Sequence, residues 1–320
     1  MKIDTTDKHL IFLLERNARM PLKELADMLG VSREAVNYRI KRLKRSGIID
    51  TFLAKLNFEK LGLTNYNIYL KLNNLDRTEY AKFVEELKKK KFITWIASLG
   101  GRFDLALEIT TSGILNFDQQ FFKLLDEHKN KISSYEISTR ICQDTFGKKY
   151  LWPENSEKET KKPKTSPKVE KTDDLDRKII SVIACDARIT IIELSQRINE
   201  APSTISFRLK QLEERGLIEA YLTFSKIEDL GYSRFKVLVT VRNFSKEEEG
   251  RFLAFCKVHP NIYYYNKTIG GWNFEIEVDF KSPLEYQEFL IDLRSKFSDI
   301  IQDIESLSIF EEHKFGYWPY

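Results

Sequence analysis

The amino-acid sequence contains the same unit twice, displaced by 169 positions, the interval between Ala18 and Ala187. The displacement holds over about 150 residues, which identifies a tandem duplication. Any fold must therefore be assembled from two similar halves. The residues that coincide are Ala18-Arg19 with Ala187-Arg188, Leu25 with Leu194, Arg39 with Arg208, Lys41 with Lys210, Gly47 with Gly216, Leu61-Gly62 with Leu230-Gly231, Gly101 with Gly270, and Phe146-Gly147 with Phe315-Gly316.

The segment between the copies is predicted to be a flexible tether. Residues 155–174 read NSEKETKKPKTSPKVEKTDD, with almost no apolar residue to bury. Such a composition cannot offset the entropy cost of becoming ordered. We therefore expect a solvated linker over residues 153–173, although its lysines could also touch DNA.

The net charge of +4 conceals two opposed halves. Residues 1–152 contain 27 Lys and Arg against 19 Asp and Glu, whereas residues 173–320 contain 19 against 25. This asymmetry predicts halves with different electrostatic roles, or halves that attract one another. The chain has no apolar run near the roughly 20 residues that cross a bilayer, and its first residues, MKIDTTDKHL, lack a signal-peptide core. These features predict a cytoplasmic protein.

The first part of each copy has the pattern of three short helices. In the first copy, apolar spacing predicts helices over 7–16 and 22–29. Ser32 is the expected N-cap of a third helix that ends near Ser46, before Gly47. Two helices, a tight turn and a third helix form a helix-turn-helix. The segment 48–57 is predicted to be a short hairpin, and hence a wing.

The remainder of each copy alternates strands and helices in the order βαββαβ, which is the ferredoxin-like arrangement. In the first copy the strands are expected at 65–74, 92–99, 103–110 and 132–142, and the helices at 77–90 and 115–128. Such a sheet carries helices on one face and leaves the other face open. The open face needs a partner sheet.

These motifs resemble those of the leucine-responsive regulatory protein/AsnC family of transcription regulators. The first copy contains L-x-x-N-A-R-x-x-x-x-E-L-A, then S-x-x-x-V-x-x-R-I-x-x-L-x-x-x-G-I-I, then Gly-x-Phe-Asp at 101–104. The resemblance covers everything except the linker. It implies an α+β fold with two copies of a winged helix-turn-helix followed by a ferredoxin-like, RAM-type domain. The domains implied are 1–58 and 174–227 (winged helix-turn-helix), and 59–152 and 228–320 (ferredoxin-like).

The resemblance implies that the third helix of the first copy binds double-stranded DNA. Lysine and arginine on an exposed helix replace the counterions of the phosphates, and side chains near the front of the helix read base edges. Residues 33–45 carry six basic residues and one acidic residue. The candidate DNA-binding residues are Ser32 at the cap, Arg33, Glu34 and Asn37 at the groove floor, and Lys41, Arg42, Lys44 and Arg45 along the rims. On this basis Arg42→Ala is expected to weaken DNA binding far more than Lys210→Ala.

The second copy departs from this pattern. Residues 202–214 balance Arg208 and Lys210 against two glutamates, and Ala201-Pro202 replaces the capping serine. An auxiliary or structural role for this helix is therefore as reasonable as DNA binding. Arg39 and Arg208 adjoin the inward stripe of their helices, so an ion pair and a phosphate contact remain alternatives. The candidate residues of the second copy are Ser203, Thr204, Ser206, Arg208 and Lys210.

The family also binds small effectors, often amino acids, in its ferredoxin-like domain. The resemblance places this region at the glycine turns, with candidate residues Gly100, Gly101 and Asp104 in one copy and Gly270, Gly271 and Asn273 in the other. The alternative is that these glycines serve hairpin geometry alone. The family dimerises through its sheets, which implies either an internal pseudo-dimer or association between chains.

An enzyme is the competing class, because the siroheme decarboxylases resemble this family in architecture and hold a tetrapyrrole in a histidine- and arginine-lined cleft. The four histidines and three cysteines of this chain are scattered, without metal-ligand spacing, so no metal or cofactor is predicted. No nucleophile-base pair or phosphate loop is apparent either. We therefore expect a regulator that is not an enzyme. A sensor that no longer binds DNA is a third alternative.

Overall fold

The computed structural model describes residues 3–153, 168–242, 244–316 and 318–320. The helices are α1 (Thr5–Arg16), α2 (Leu22–Leu29), α3 (Arg33–Arg45), α4 (Arg77–Lys88), α5 (Ile114–Glu127), α6 (Asp174–Ile183), α7 (Ile191–Ile198), α8 (Pro202–Glu214), α9 (Lys246–Val258) and α10 (Pro283–Lys296). The strands are β1 (Ile49–Leu56), β2 (Thr64–Leu72), β3 (Ile93–Gly100), β4 (Leu105–Thr111), β5 (Ile132–Thr145), β6 (Ile218–Ser225), β7 (Ser233–Val241), β8 (Ile262–Gly270), β9 (Phe274–Phe280) and β10 (Ile301–Phe315). None of the helices described is both long and apolar enough to span a membrane.

The described residues divide into two units, and each unit contains parts of both copies. The first unit comprises described residues within 1–63, 151–226 and 316–320, and the second those within 64–150 and 227–315. The first unit therefore combines the two helix-turn-helix segments. The second combines the two ferredoxin-like segments.

The first unit is built around a strand pair that joins the two copies. Strand β1 pairs antiparallel with β6, and the register places Leu53 opposite Leu222, its own counterpart in the repeat. The pairing is thus symmetric about this residue pair. The predicted hairpin at 48–57 is wrong, because this segment is one strand whose partner is the other copy.

The end of the predicted linker is ordered against this unit. The backbone N–H of Glu170 donates to the carbonyl of Lys60 at 2.7 Å, and the Glu170 carboxylate pairs with Arg215 at 3.2 Å. The segment expected to be a linker over 153–173 is therefore packed against the first unit at Glu170. Its residues 154–167 lie outside the described part of the chain.

The second unit is a closed antiparallel barrel with the strand order β10-β3-β4-β2-β5-β8-β9-β7. Each copy contributes a ferredoxin-like sheet, and the sheets are joined by the pairs β5–β8 and β10–β3. The partner of each open sheet face is consequently the other copy in the same chain. This arrangement is the internal pseudo-dimer.

Side chains alternate along the barrel strands, as the period of two requires. On β2, Ile68 and Leu70 pack with the helices of the first copy. Tyr69 belongs instead to a cluster supplied by strands of both copies, which contains Trp95 and Trp272. This second cluster is the apolar part of the barrel interior.

The barrel interior also holds buried charges. Lys236 is buried and lies 2.9 Å from Glu277 and 3.7 Å from Glu275, and Asn67 of the other copy donates to Glu275 at 2.9 Å. Burial opposes ionisation, yet the Lys236 ammonium lowers the pKa of Glu277. Asn67 is the repeat counterpart of Lys236, so the two copies contribute different groups to the same interior.

Candidate nucleic-acid interface and effector region

Helix α3 presents a charged face because its apolar stripe is turned inward. Val36, Ile40 and Leu43 are buried, and the Ser32 hydroxyl accepts a hydrogen bond from the backbone N–H of Ala35 at 3.1 Å. Gly47 follows with φ +80°, the left-handed conformation expected after a helix. The predicted start and end of this helix are confirmed.

Arg39 lies in an ion-pair network with the first helix. Its Nη1 is 2.6 Å from Asp7 and 2.8 Å from Asp4, and the Asp7 side chain is fully buried. The hydrogen bond with Asp4 raises the pKa of Arg39. Of the two alternatives for Arg39, the structure contains the ion pair.

Arg42 shares the same buried carboxylate. Its Nη2 is paired with Asp7, although the sequence placed Arg42 on the groove rim. The side chain therefore anchors α3 to α1 in this structure instead of extending toward solvent. A sequence pattern cannot reveal this, because Asp7 lies on a different helix and its partners become neighbours only on folding.

The remaining basic side chains of α3 are exposed. Arg33, Lys41, Lys44 and Arg45 are all accessible, and none forms an ion pair within the part of the chain that the structure describes. Glu34 is also exposed, whereas Asn37 is partly buried. This face therefore concentrates positive charge, and Glu34 is the one acidic residue of the helix.

The second copy repeats the internal ion pair without the charged face. Arg208 lies 2.9 Å from Asp173 and 3.3 Å from Asp176, the counterparts of Asp4 and Asp7. The other cation on α8, Lys210, lies 3.5 Å from Glu214 on the same helix. Ser203 and Ser206 are exposed and Thr204 is partly buried.

Two arginines hold the helix-turn-helix segments together reciprocally. Arg19 donates from Nη1 to the carbonyl of Ala187 at 2.8 Å, and Arg188 donates from Nη1 to the carbonyl of Ala18. Each guanidinium also lies over an aromatic ring of the other copy, Arg19 over Tyr221 at 5.2 Å and Arg188 over Phe52 at 5.6 Å. The Ala-Arg motif of the repeat is thus a contact between the copies.

The glycine turns have a structural role in closing the barrel. Gly270 has φ +141°, and a Cβ there would lie 2.4 Å from the carbonyl oxygen of Ile137 on the adjoining strand. Gly101 has φ +122°, and a Cβ there would approach Leu307 at 3.1 Å. Both positions therefore require glycine for the junction between the copies, whether or not a ligand binds nearby.

Asp104 and Asn273 occupy equivalent positions in the two copies, and the side chain of each accepts a hydrogen bond from the backbone of a neighbouring strand. Asp104 accepts the backbone N–H of Leu72 at 2.8 Å, and Asn273 accepts that of Val241 at 2.9 Å. The second oxygen of Asp104 pairs with Lys71 at 2.9 Å. Both oxygens of the carboxylate predicted to hold an amino group are thus engaged within the protein.

A cleft of about 450 Å³ opens beside Asp104 in the first copy. One wall carries a chain of hydrogen bonds in which the Ser98 hydroxyl contacts the Tyr80 hydroxyl and lies 2.5 Å from Nε2 of His313. Burial lowers the pKa of His313. The cleft is lined by Lys71, Leu72, Asn73, Asn74, Leu75, Tyr80, Ser98, Leu99, Asp104 and Phe310.

Comparison with known proteins identifies the helix-turn-helix segments. A family model described as winged helix-turn-helix DNA-binding matches residues 3–50 and 172–219. The HTH-type transcriptional regulator FL11 of Pyrococcus furiosus is 32% identical over 110 residues, which cover 34% of this chain and 71% of that protein. The HTH-type transcriptional regulator LrpA of Pyrococcus abyssi is 30% identical over 143 residues, which cover 44% of this chain and 93% of that protein.

The chain belongs to the Lrp/AsnC family of transcription regulators. Each of these relatives corresponds to one copy of the unit, which agrees with the duplication. The α+β fold and the paired helix-turn-helix segments predicted from sequence are confirmed.

The fold of this Lrp/AsnC chain is similar to that of a solved structure. The crystal structure of the siroheme decarboxylase NirDL matches with a TM-score of 0.61 at 14% identity, covering 99% of this chain and 94% of that one. At this identity the similarity concerns the fold alone.

Two exposed aromatic residues of this Lrp/AsnC chain are further candidates that the sequence motifs did not indicate. Tyr38 on α3 is 60% exposed and Phe207 on α8 is 62% exposed, and the two positions coincide in the repeat. The signal that would have revealed them is their spacing, since each lies opposite the buried stripe of its helix.

Proposed function

We propose that the chain is a sequence-specific regulator that binds double-stranded DNA through two unequal recognition helices carried by one polypeptide. This proposal rests on the difference in exposed positive charge between α3 and α8, which belong to the same unit. Helix α3 exposes Arg33, Lys41, Lys44 and Arg45 without ion-pair partners in the described chain, whereas the exposed Lys210 of α8 has Glu214 beside it.

The two recognition helices imply an asymmetric DNA site. Paired helix-turn-helix segments contact half-sites about one helical turn apart. Because α3 supplies most of the unpaired positive charge, its half-site should account for most of the salt dependence of binding. The half-site of α8 should contribute less to affinity.

Selection from a pool of random duplexes, followed by sequencing of the bound fraction, tests this function. We expect one enriched site with two unlike halves, and binding that weakens steeply with salt. Enrichment of no sequence, together with no retention on heparin, would contradict the proposal and favour a sensor that does not bind DNA.

We further propose that a zwitterionic effector such as an amino acid occupies the cleft of the first copy. Lys71 and Asp104 pair with each other at 2.9 Å, and an entering amino acid would replace this pair, its carboxylate binding the Lys71 ammonium and its ammonium binding the Asp104 oxygen that Lys71 releases. Phe310 and Leu75 provide apolar surface for its side chain. In the second copy, Glu249 and Lys267 replace Tyr80 and Ser98 and pair at 2.6 Å, so one effector is expected per chain.

Thermal unfolding in the presence of each of the twenty amino acids tests the effector. A shift that is present in the wild type and lost in Lys71→Met would support binding in the cleft. A shift retained in full by Lys71→Met would exclude this cleft.

We propose that the chain does not act as an enzyme of the decarboxylase type. The four histidines lie in separate surroundings: His9 stacks on Trp152, His128 contacts Phe83, His259 contacts Phe289, and His313 lies beside Ser98. A tetrapyrrole-bound protein would absorb between 380 and 600 nm. Absorbance in that range after incubation with an iron tetrapyrrole and gel filtration would contradict the proposal.

A further inference from the structure

Tyr38 and Phe207 occupy the same place on the two recognition helices. Tyr38 and Phe207 are 60% and 62% exposed, so most of each side chain is accessible to a partner. The two copies differ at most neighbouring surface positions but retain an aromatic ring here. The rings therefore share a role that does not depend on the charge of the helix.

The helical geometry puts each ring at the centre of the outward face. With 3.6 residues per turn, Tyr38 lies opposite the buried stripe of α3 and shares its face with Glu34, Lys41 and Arg45. The corresponding residues around Phe207 on α8 are Ser203, Lys210 and Glu214. Both rings thus have a lysine three residues further along the same face.

Apolar side chains on a DNA-contacting face have a specific partner in the major groove. The 5-methyl group of thymine is the apolar feature that base edges present there, and it contacts side chains such as phenylalanine. Phe207 has no hydroxyl, so its ring recognises a base edge only through such a contact. On the face of Tyr38, the exposed Lys41 and Arg45 favour a polyanion as the occupant over an apolar protein surface.

We propose that Tyr38 and Phe207 are specificity residues, each of which places its ring against a thymine methyl group in its own half-site. This inference rests on the proposed DNA-binding function and adds to it the role of α8. The second helix-turn-helix then reads sequence mainly through apolar contact and adds little to the salt dependence. The two half-sites share a thymine position although their flanking bases differ.

The test compares the wild type with Phe207→Ala, Tyr38→Ala and the matched control Ile291→Ala. Ile291 is 57% exposed on α10 of the second unit, so its truncation removes a similar exposed apolar group from a different place. Each protein is used to select from the same random-duplex pool. Duplexes of the wild-type site are then prepared with uracil in place of each thymine, which removes only the methyl group.

We expect Phe207→Ala to lose base preference at one thymine of one half-site and to bind the wild-type duplex about fivefold more weakly. Tyr38→Ala should do the same in the other half-site, and Ile291→Ala should match the wild type. Replacing that thymine by uracil should weaken wild-type binding about fourfold, as burial of one methyl group implies. The same replacement should have no further effect on Phe207→Ala.

Two results would overturn the inference while leaving the DNA-binding function intact. One is an unchanged enriched site for both alanine variants. The other is a uracil effect that persists in full in Phe207→Ala, which would assign the methyl contact to another residue. If the wild type enriches no duplex, the DNA-binding function fails and this inference fails with it.

Discussion

Arg39 and Asp7 form an ion pair in which Nη1 lies 2.6 Å from a fully buried carboxylate oxygen. Asp7 also receives the Arg42 guanidinium and accepts the backbone N–H of Asp4 at 3.2 Å. One buried side chain therefore fixes the start of the first helix and two positions of the recognition helix. The orientation of α3 depends on this carboxylate.

Asp7→Asn should destabilise the first unit. The change leaves Arg39 and Arg42 without their buried anion, and breaking such a pair costs about 3 kcal/mol. Urea unfolding followed by circular dichroism at 222 nm measures the change in free energy. Asp4→Asn is the matched control, because the Asp4 side chain is half exposed and should lose much less. Equal losses for the two variants would contradict the role assigned to Asp7.

Lys41→Ala and Lys210→Ala form a matched pair, since the two lysines are repeat counterparts. Lys41 has no ion-pair partner in the described chain, whereas Lys210 has Glu214 at 3.5 Å. We expect Lys41→Ala to make the slope of log affinity against log salt shallower by about 0.9, the value for one phosphate contact. Lys210→Ala should change it less. Fluorescence anisotropy over a salt series measures both slopes, and identical changes would refute the asymmetry.

Arg42→Ala requires a different expectation from the one that sequence alone suggests. Because its guanidinium is paired with Asp7, the variant should lose stability in the first unit, and any loss of DNA affinity should follow from a less fixed α3. The salt slope should then change less than in Lys41→Ala.

Lys236→Met should destabilise the barrel, because it removes the ammonium that pairs with the buried Glu275 and Glu277. Breaking a buried ion pair by removing one partner costs about 3–5 kcal/mol. Two of the four tryptophans, Trp95 and Trp272, lie in the barrel interior, so their part of the fluorescence change in urea reports on this unit. Adding Glu277→Gln should recover part of the loss, and no recovery would argue against the charge as its cause.

Protonation of His259 should reduce stability in mildly acidic solution. Burial, and then the nearby Lys149 ammonium, lower the pKa of His259 from 6.5 to about 4. Between these two pH values the unfolded chain therefore binds more protons than the folded chain. The stability that the neutral His259 contributes is complete above pH 6.5 and is lost as the pH falls toward 4. The loss is about 3 kcal/mol. In His259→Leu the unfolding free energy should vary less between pH 6.5 and 5, and an unchanged pH dependence would contradict this assignment.

The sequence predicted local structure well because its signals are local. The capping serine at 32, the glycine at 47 and the apolar stripe through Val36 identify α3 within one or two residues of its bounds. The order βαββαβ likewise follows from the change of hydrophobic period along each copy. The repeat then implied two equivalent sheets, each with one open face that needs a partner.

The sequence could not reveal which segments pair across the copies. The strand at 49–56 has the composition of a hairpin arm, yet its partner Leu222 lies far along the chain. Arg42 appeared free for the same reason, because Asp7 is remote in sequence. Nothing in the sequence indicates that Lys236 is buried, because the barrel that encloses it forms only when the two sheets join.

Both sheets of the barrel belong to one chain, so they remain paired however dilute the protein becomes. A regulator built from two separate protomers loses its partner as it becomes scarce, and its DNA occupancy then falls with the square of concentration. Here β5–β8 and β10–β3 join segments of one molecule. Occupancy by this single-chain form should instead follow simple one-to-one mass action down to a few copies per cell.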